Sequence, residues 1–424
     1  MRLVAWFLAT LGLVAAQEYK LVWEDTFDFF DPRKWDHEIT SWGGGNNEFQ
    51  IYTPDSANSY VRDNTLFLKP TLTRDNIDPR TGRPFGDDYL KNGTMDLVAQ
   101  YGKCTQQDND GCVRNGRQKM IAPIMSARIR TMERFAFKYG RLEVEAKMPS
   151  GDWMWPAIWM LPEDWEYGPW PKSGEIDLVE AIGNRNLTNV DDGKYAGIQK
   201  MGSTLHWGPA GDDNRWYLTS GHNTNETYNY ADYFHLYRMD WDHNGLRFYI
   251  DDREVVRMPD PNINEYTNWT GWWDYGIKKD NNTPWKNNYT NPWVNGTNMA
   301  PFDKPFHIIC NVAVGGTNGF LPDNSKATNN GGYPKPYNNS DYGSGQSKFW
   351  DAREQWLPTW KGEDAALQIK SVRIYQTDSQ MPSTQPPPAT QPPATCPPIN
   401  SSNALAFSYV LLLTLISSIW KIIV

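Results

Sequence analysis

The segment 174–180 (GEIDLVE) holds three acidic residues, Glu175, Asp177 and Glu180, interleaved with Ile, Leu and Val. Carboxyl groups gathered on one face repel one another and raise at least one pKa, so stability alone gives no reason to assemble them. Acid catalysis does give one, because a retaining glycosidase needs a carboxylate nucleophile and a protonated carboxylic acid about 5–5.5 Å apart. The pattern favours a glycoside-cleaving site, and the alternative is a solvated strand face with a chance acid cluster.

These acids need a particular backbone to act together. In a helix, at about 100° per residue, they would point in three directions. In a strand, the two-residue period puts Glu175 and Asp177 on one face and Glu180 on the other, unless one extra residue bulges at Leu178-Val179. We therefore predict a bulged strand in a concave sheet. Asp177 is expected to hydrogen-bond the nucleophile and to keep the two glutamate pKa values apart.

Tryptophan, of which the chain has 21 residues, is concentrated just before the acids. Indole faces stack on the apolar faces of sugar rings, so a row of tryptophans beside three acids suits a polysaccharide groove. A tryptophan considered alone is more often a core residue. The clustered residues are Trp153, Trp155, Trp159, Trp165 and Trp170, and Trp207 follows His206. His206 is either a satisfied structural histidine or a hydrogen-bond donor in the cleft.

The composition of the chain bounds its fold. The 424 residues carry a formal net charge of −9, and 14% of them are aromatic. The chain is too aromatic for disorder and too acidic for a general nucleic-acid binder, so no nucleic acid is expected as a partner. Its 33 Gly and 30 Pro suit short strands joined by loops. We expect an all-β fold with two packed antiparallel sheets and long loops.

Three segments show strand patterns. In Arg141–Met148 (RLEVEAKM) the period of two sends the apolar residues to one face and the charged residues to the other. Arg247–Met258 is predicted to be a hairpin that turns at Asp251-Asp252. The last strand is predicted at Leu367–Tyr375. Since no linker or repeat interrupts the chain from Leu21 to about Thr377, this region is predicted to be one domain.

The two ends of the chain predict export and surface attachment. Residues 1–16 combine one basic residue, an apolar run and small residues at the cleavage positions, which is typical of a signal peptide. Residues 378–399 are predicted to form a Pro-rich stalk. Residues 400–424 begin with small residues and continue as an apolar tail, which favours a glycolipid (GPI) anchor, with a retained single-pass membrane span as the alternative. The folded domain, 17–377, is then extracellular and held at the cell membrane.

Cysteines and sequons fit an oxidising compartment. Cys104 and Cys112 enclose a short polar loop and are expected to form a disulfide, whereas Cys310 is expected to be a buried free thiol and Cys396 is alone in the stalk. The sequence has no Cys-X-X-Cys or His-X-X-X-His pairing, so no metal and no cofactor is predicted. Asn-X-Ser/Thr sequons occur at Asn92, Asn186, Asn225, Asn268, Asn281, Asn288, Asn295, Asn338 and Asn400.

Seven segments together resemble one known family. They are WEDTF (23–27), GGGNNEFQIY (43–52), PIMSARIRT (123–131), KYGRLEVEAKMPSGDWMWPAIWMLP (138–162), SGEIDLVEAIGN (173–184), STLHWGP (203–209) and NVAVGGTNGFLPD (311–323). They resemble glycoside hydrolase family 16, most of all its invertebrate β-1,3-glucanases and β-1,3-glucan-binding (Gram-negative-bacteria-binding) proteins. The resemblance implies a concanavalin-like β-jelly-roll sandwich with a groove across its concave face, and cleavage with retention of configuration.

The resemblance also implies a role for individual residues. Glu175 matches the family nucleophile, Asp177 the assisting acid and Glu180 the general acid/base. Residues that match groove positions around the scissile bond are Asn47, Arg141, Trp155, Trp159 and His206. For Arg141 the alternative is a salt bridge to Glu143 or Glu145.

The family branch contains enzymes and receptors. Many insect recognition proteins of this type lack one or both catalytic glutamates and carry an additional N-terminal glucan-binding domain. This sequence has all three acids, and its catalytic domain begins close to the predicted cleavage site, so an endo-1,3-β-glucanase acting on laminarin-like or fungal-wall glucan is expected. The alternative is a non-catalytic receptor of innate immunity that binds β-1,3-glucan and also lipopolysaccharide. Hydrolysis of agarose or carrageenan is a third, weaker interpretation.

Overall fold

The computed structural model describes residues 18–259, 270–327 and 332–381. The predicted signal peptide (1–16) and anchor segment (400–424) lie outside the described residues, as do residues 382–399 of the predicted stalk and Cys396 within it. The described chain up to Gln380 belongs to one compact unit.

The described residues form 24 strands, most of them short. In chain order they are β1 (Lys20–Asp25), β2 (Asp36–His37), β3 (Gln50–Tyr52), β4 (Ser59–Arg62), β5 (Thr65–Leu68), β6 (Thr71–Leu72), β7 (Ile77–Asp78), β8 (Arg83–Pro84), β9 (Thr94–Asp96), β10 (Val113–Asn115), β11 (Ile124–Ser126), β12 (Arg128–Arg130), β13 (Gly140–Lys147), β14 (Met154–Pro162), β15 (Glu175–Ala181), β16 (Leu187–Asn189), β17 (Lys200–His206), β18 (Ser220–Thr224), β19 (His235–Asp242), β20 (Gly245–Ile250), β21 (Arg253–Met258), β22 (Phe306–Val314), β23 (Ser325–Ala327) and β24 (Leu367–Gln376). The predicted last strand and the hairpin that turns at Asp251-Asp252, between β20 and β21, are both confirmed.

Two large antiparallel sheets organise these strands. Sheet A has the order β21-β20-β19-β13-β24-β5-β4, and β1 also pairs with β24. Sheet B has the order β18-β17-β15-β14-β22-β12-β2. Smaller sheets are β3-β11-β6, in which β3 and β11 run parallel, and the pairs β9-β10, β16-β23 and β7-β8. The expected all-β sandwich is confirmed.

The alternation in β13 shows how the sequence packs the two sheets. Leu142, Val144 and Ala146 are fully buried, and the charged residues between them lie on the other face of sheet A. The buried side chains share one core cluster with Ile176 of β15 and Ile308 of β22, both in sheet B. Burying an aliphatic side chain of this size stabilises the fold by about 1.5–3 kcal/mol. The period of two therefore fixes which face of each sheet is turned toward the core.

Helices among the described residues are short. They are α1 (Asp87–Asn92), α2 (Leu97–Tyr101), α3 (Trp272–Lys279), α4 (Gly345–Asp351) and α5 (Arg353–Trp356). None of the helices in the described ranges is both long and apolar enough to cross a bilayer.

A tryptophan-rich segment around α3 packs against the end of β17. Trp207 follows β17 directly, and its ring lies 5.0 Å from Trp272, 5.8 Å from Trp285 and 6.3 Å from Trp293, measured between centroids. The guanidinium of Arg215, which is 1% exposed, lies 4.0 Å from the centre of the Trp285 ring. The segment thus holds the loop after β17 in place.

The described residues contain one disulfide and one free cysteine. Cys104 and Cys112 form a disulfide, and Cys310 on β22 is a buried free thiol.

Candidate active site

The predicted bulge is present in β15, and it brings the three acids to one face. The pairing of β15 with β17 shifts by one residue between Asp177 and Glu180. Leu178 and Val179 both lie in the core, although they are adjacent in sequence. The hydroxyl of Ser203 donates to the Leu178 carbonyl at 2.7 Å and satisfies a backbone group that the bulge takes out of the ladder. All three acids therefore lie on the outer face of sheet B.

The environment of Glu180 raises the pKa of its carboxyl group. It keeps some exposure to solvent, but the protein packed around its carboxyl group raises the pKa to about 7. The Trp155 indole N–H donates to Oε1 of Glu180 at 2.9 Å. Phe320 stacks in parallel on the Trp155 ring, with 4.1 Å between centroids and 8° between planes. Near neutral pH this carboxyl group holds and releases a proton readily.

Glu175 lies at the other end of the trio in a different environment. The indole N–H of Trp170 donates to Oε2 of Glu175 at 2.7 Å, and Nε2 of His206 lies 4.0 Å from Oε1. Trp170 remains 41% exposed, so this side of the site is open to solvent.

Asp177 lies between the two glutamates and is 2% exposed. Burial is the main reason that its pKa is well above the usual value, and the charges of Glu175 and Glu180 raise it further. Nε2 of His206 lies 3.3 Å from Oδ2 of Asp177. Burial and the neighbouring acids therefore both favour the protonated form of the Asp177 carboxyl group.

His206, the last residue of β17, lies opposite Glu175 in the ladder. Its Nδ1 is 2.8 Å from the side-chain nitrogen of Asn214. Burial lowers the pKa of the imidazole, but the charges of Glu175, Asp177 and Glu180 together outweigh burial and raise it.

Trp159 is adjacent to Asp177 across the β14-β15 ladder. Its indole N–H donates to Oδ1 of Asn311 at 2.7 Å. The Arg128 guanidinium lies 5.2 Å from the centre of the Trp159 ring and 4.6 Å from that of Tyr52. The Arg128 guanidinium and the hydrogen bond to Asn311 fix the orientation of the Trp159 ring.

A loop before β3 borders the Glu180 side of the site. Asn47 has φ of 53° and donates through Nδ2 to Oγ1 of Thr317 at 3.2 Å. Glu48 is buried, accepts from Nε2 of Gln50 at 2.6 Å and from Nδ2 of Asn46 at 3.0 Å, and its pKa is raised by burial. The negative charge of Glu48 also contributes to the raised pKa of Glu180.

Comparison with known proteins identifies the family. A family model described as "Glycosyl hydrolases family 16" matches residues 95–273. The beta-1,3-glucan-binding protein of Penaeus monodon is 45% identical over 370 residues, which cover 85% of this chain and 91% of that protein. The chain belongs to glycosyl hydrolase family 16.

Two further comparisons extend this result. Gram-negative bacteria-binding protein 1 of Drosophila melanogaster is 30% identical over 375 residues, which cover 85% of this chain but 65% of that protein, so the chain spans about two thirds of that relative. The catalytic domain of an endo-1,3-beta-glucanase (laminarinase) from Thermotoga petrophila RKU-1 superposes with a TM-score of 0.50 at 20% identity, covering 86% of this chain and all of that domain. The family 16 resemblance inferred from the motifs is confirmed, and so is the fold.

Arg141 does not belong to this family 16 site, and its assignment as a groove residue is wrong. It lies on β13 in sheet A, with its side chain on the face turned away from the core, whereas the acids lie on the outer face of sheet B. There it forms a two-pronged ion pair with Asp240 on β19, at 2.6 and 3.1 Å. Of the salt bridges weighed as its alternative, Glu143 lies 4.0 Å away. A charged residue on the polar side of a strand does not reveal which sheet the strand joins.

The clustered tryptophans divide between site and core. Trp155, Trp159 and Trp170 lie beside the acids, whereas Trp153 and Trp207 are buried in the core.

Sequence reasoning missed Arg128, Glu48 and Asn214. Arg128 is one of two arginines in the segment 123–131, and an arginine between apolar strand residues was the available signal. Glu48 lies within another quoted segment, 43–52. Asn214 is in a loop after β17, and nothing in its local sequence marks it.

The site contains one group of possible metal ligands. One donor atom from each of Glu175, Asp177 and His206 lies within 4.8 Å of the other two. From the sequence, no metal was assigned to these residues.

Proposed function

We propose that this family 16 protein is an endo-acting hydrolase of β-1,3-glucan, of the laminarin or fungal-wall type, with Glu175 as nucleophile and Glu180 as general acid/base. The observation that carries the proposal is the environment of Glu180, since a carboxyl group whose pKa is raised to about 7 by the protein packed around it suits proton transfer at neutral pH. An intact acid pair of this kind has no structural purpose, because it places repelling groups together.

The proposed reaction proceeds in two displacements. Glu180 gives its proton to the glycosidic oxygen while the Glu175 carboxylate attacks the anomeric carbon, so the C–O bond breaks and a glycosyl ester forms on Glu175. The ionised Glu180 then takes a proton from water, whose oxygen attacks the same carbon and releases Glu175. Two inversions give net retention of configuration. Asp177, which lies between the glutamates, is proposed to hydrogen-bond the nucleophile during the reaction, and Asn47, Trp155, Trp159 and His206 are proposed to contact the sugar.

A non-catalytic recognition protein is the second candidate. The names of the two curated relatives favour it, since one refers to β-1,3-glucan and the other to Gram-negative bacteria. In this role the same groove would bind β-1,3-glucan, and lipopolysaccharide would be a further ligand.

One experiment separates the two candidates. The purified protein is incubated with laminarin, and new reducing ends are measured for the native chain and for Glu175→Gln. Release by the native chain alone supports the hydrolase. Laminarin binding without release by the native chain supports the recognition protein. Lichenan as substrate measures linkage preference.

The proposed location is extracellular, at the cell surface, through the C-terminal tail. Treatment of cells with a phosphatidylinositol-specific phospholipase tests the anchor. Release into the medium supports a glycolipid anchor, and retention supports a membrane span.

A further inference from the structure

Two tryptophan rings lie against His206, the residue of β17 that pairs with Glu175. The Trp170 ring lies 5.8 Å from the imidazole and the Trp216 ring lies 6.4 Å from it, measured between centroids. Trp170 is 41% exposed and Trp216 is 46% exposed. Single exposed aromatic side chains are common on protein surfaces, but two of them beside a cluster of acids form an apolar patch at the site itself.

The backbone of Trp216 is held in place on both sides. Its N–H donates to Oδ1 of Asn214 at 3.3 Å, and its carbonyl accepts from the backbone N–H of Thr219 at 2.9 Å. Arg215, the residue before Trp216, is buried against the Trp285 ring. A side chain on a fixed backbone has less conformational entropy to lose when a ligand binds, so Trp216 is preorganised for binding.

The packing of this loop does not require Trp216 to be exposed. Trp207, in the same connection between β17 and β18, is buried and packs against Trp272 and its neighbours in the core. The loop therefore obtains its core contacts from Trp207 and leaves the Trp216 ring half-exposed. The start of the loop also supports Trp170, because a Cβ added to Gly211 would lie 3.5 Å from that ring. One loop thus presents one of the two exposed rings and backs the other.

Trp216 extends a line of side chains that crosses sheet B. Trp159 lies on β14, Glu175 on β15 and His206 on β17, and these strands are neighbours in that order. Trp216 lies in the connection to β18, the next strand of the sheet, and its ring contacts His206. A polysaccharide with its scissile bond at the acids that runs across the strands toward β17 therefore passes beside His206 and reaches the Trp216 ring.

We infer that Trp216, with Trp170 beside it, forms a binding site for a glucosyl residue of β-1,3-glucan beyond the two residues that the scissile bond joins, on the β17 side of the acids. The inference rests on the proposed function, since it extends the same groove for the same ligand. The apolar C–H face of a pyranose suits stacking on an indole. The Trp170 N–H donates to Glu175, which keeps that ring beside the nucleophile and leaves Trp216 to contact the chain farther out. Trp216 lies outside the seven segments that carry the family resemblance.

Calorimetry with laminarihexaose tests this site on the full-length chain carrying Glu180→Gln, in which hydrolysis is suppressed. Addition of Trp216→Ala should weaken hexaose binding about 10-fold, and Trp216→Phe, which keeps an aromatic face, should weaken it about threefold or less. Tyr233→Ala is the matched control, because Tyr233 is an exposed aromatic residue that contacts the Tyr228 ring just before β19 of sheet A. This control should bind the hexaose as tightly as the parent chain does.

The outcomes separate this inference from the proposed function. Equal hexaose binding by Trp216→Ala and its parent overturns the inference and leaves the hydrolase standing. Hexaose binding that depends on Trp216, in a protein whose native chain releases no reducing ends, supports the inference and overturns the hydrolase. Absence of hexaose binding by the parent chain overturns the inference as well as a groove for this glucan.

A second measurement covers the case in which Trp216→Ala does not fold. The parent chain is labelled with ¹⁵N at its tryptophan indoles, and the Trp216 signal is assigned by its absence in Trp216→Phe. Addition of laminarihexaose should shift this signal, because a stacked sugar changes the surroundings of the ring. A Trp216 signal that stays unchanged at a saturating hexaose concentration contradicts the inference.

Discussion

The hydrogen bond from Trp155 to Glu180 offers a direct test of the proposed general acid. In Trp155→Phe the aromatic ring and its stack on Phe320 are kept, but the 2.9 Å N–H···O contact to Oε1 is lost. A hydrogen bond to a charged group is worth about 1.5–3 kcal/mol, against about 0.5–1.5 kcal/mol for a neutral pair. The N–H therefore favours the ionised carboxylate by about 1–1.5 kcal/mol, which corresponds to about one pKa unit.

The sign of the expected change follows from this preference. Without the donor, the pKa of Glu180 rises from about 7 by about one unit. Catalysis requires the protonated acid in the free enzyme, so the basic limb of kcat/KM against pH should move to higher pH by the same amount. The assay is the initial rate of reducing-end release from laminarin over the pH range that brackets this limb.

Trp159→Phe is the matched control for Trp155→Phe. The same atoms are removed, but the Trp159 N–H binds Asn311 rather than a carboxylate. Its basic limb should stay in place even if the rate falls. A limb that stays in place, or moves to lower pH, in Trp155→Phe would refute the assignment of Glu180 as the acid.

Three further variants test other parts of the structure. Glu180→Gln should lower the rate of laminarin hydrolysis by about 10²–10⁴-fold while isothermal calorimetry still detects binding; loss of binding would show that the groove itself had collapsed. Ser203→Ala leaves the Leu178 carbonyl without its buried partner and should reduce the free energy of unfolding by about 1–3 kcal/mol in urea, with Ser220→Ala as the more exposed comparison. Arg141→Gln should also reduce stability, by about 1–3 kcal/mol, because Asp240 loses its partner, and it should leave KM for laminarin unchanged; a raised KM would return Arg141 to the groove.

The bulge in β15 was predictable because two requirements conflicted in the sequence. Glu180 is five residues from Glu175, so a regular strand would have directed it into the core, and one extra residue was the smallest repair. The outward face of β13 was predictable for the same reason, since its alternation is complete.

The position of β13 in sheet A was not predictable from that alternation. Strand order depends on pairings between distant segments, such as β13 with β19 and β24, and the period of two contains no information about them. The family resemblance and the polar face of β13 both favoured a groove position for Arg141, and neither reveals the sheet that β13 joins; it is Arg128 on β12 that lies beside Trp159. Asn214 was not predicted because its contact with His206 depends on the position of the loop after β17. Arg215 and the segment around α3 hold that loop in place.

The bulge also has an evolutionary consequence. Glu175 and Glu180 lie on a single strand, whereas the surrounding rings come from β14 and from loops. Under the proposed mechanism, one nucleotide change that turns either glutamate into glutamine would end hydrolysis, leave the surrounding rings in place, and remove one of the mutually repelling acids. If the proposed function holds, a lineage can therefore pass from hydrolase to carbohydrate-binding protein in one mutational step. Deleting one residue at Leu178-Val179 would instead turn Glu180 into the core. This change would disrupt the fold and the acid site together.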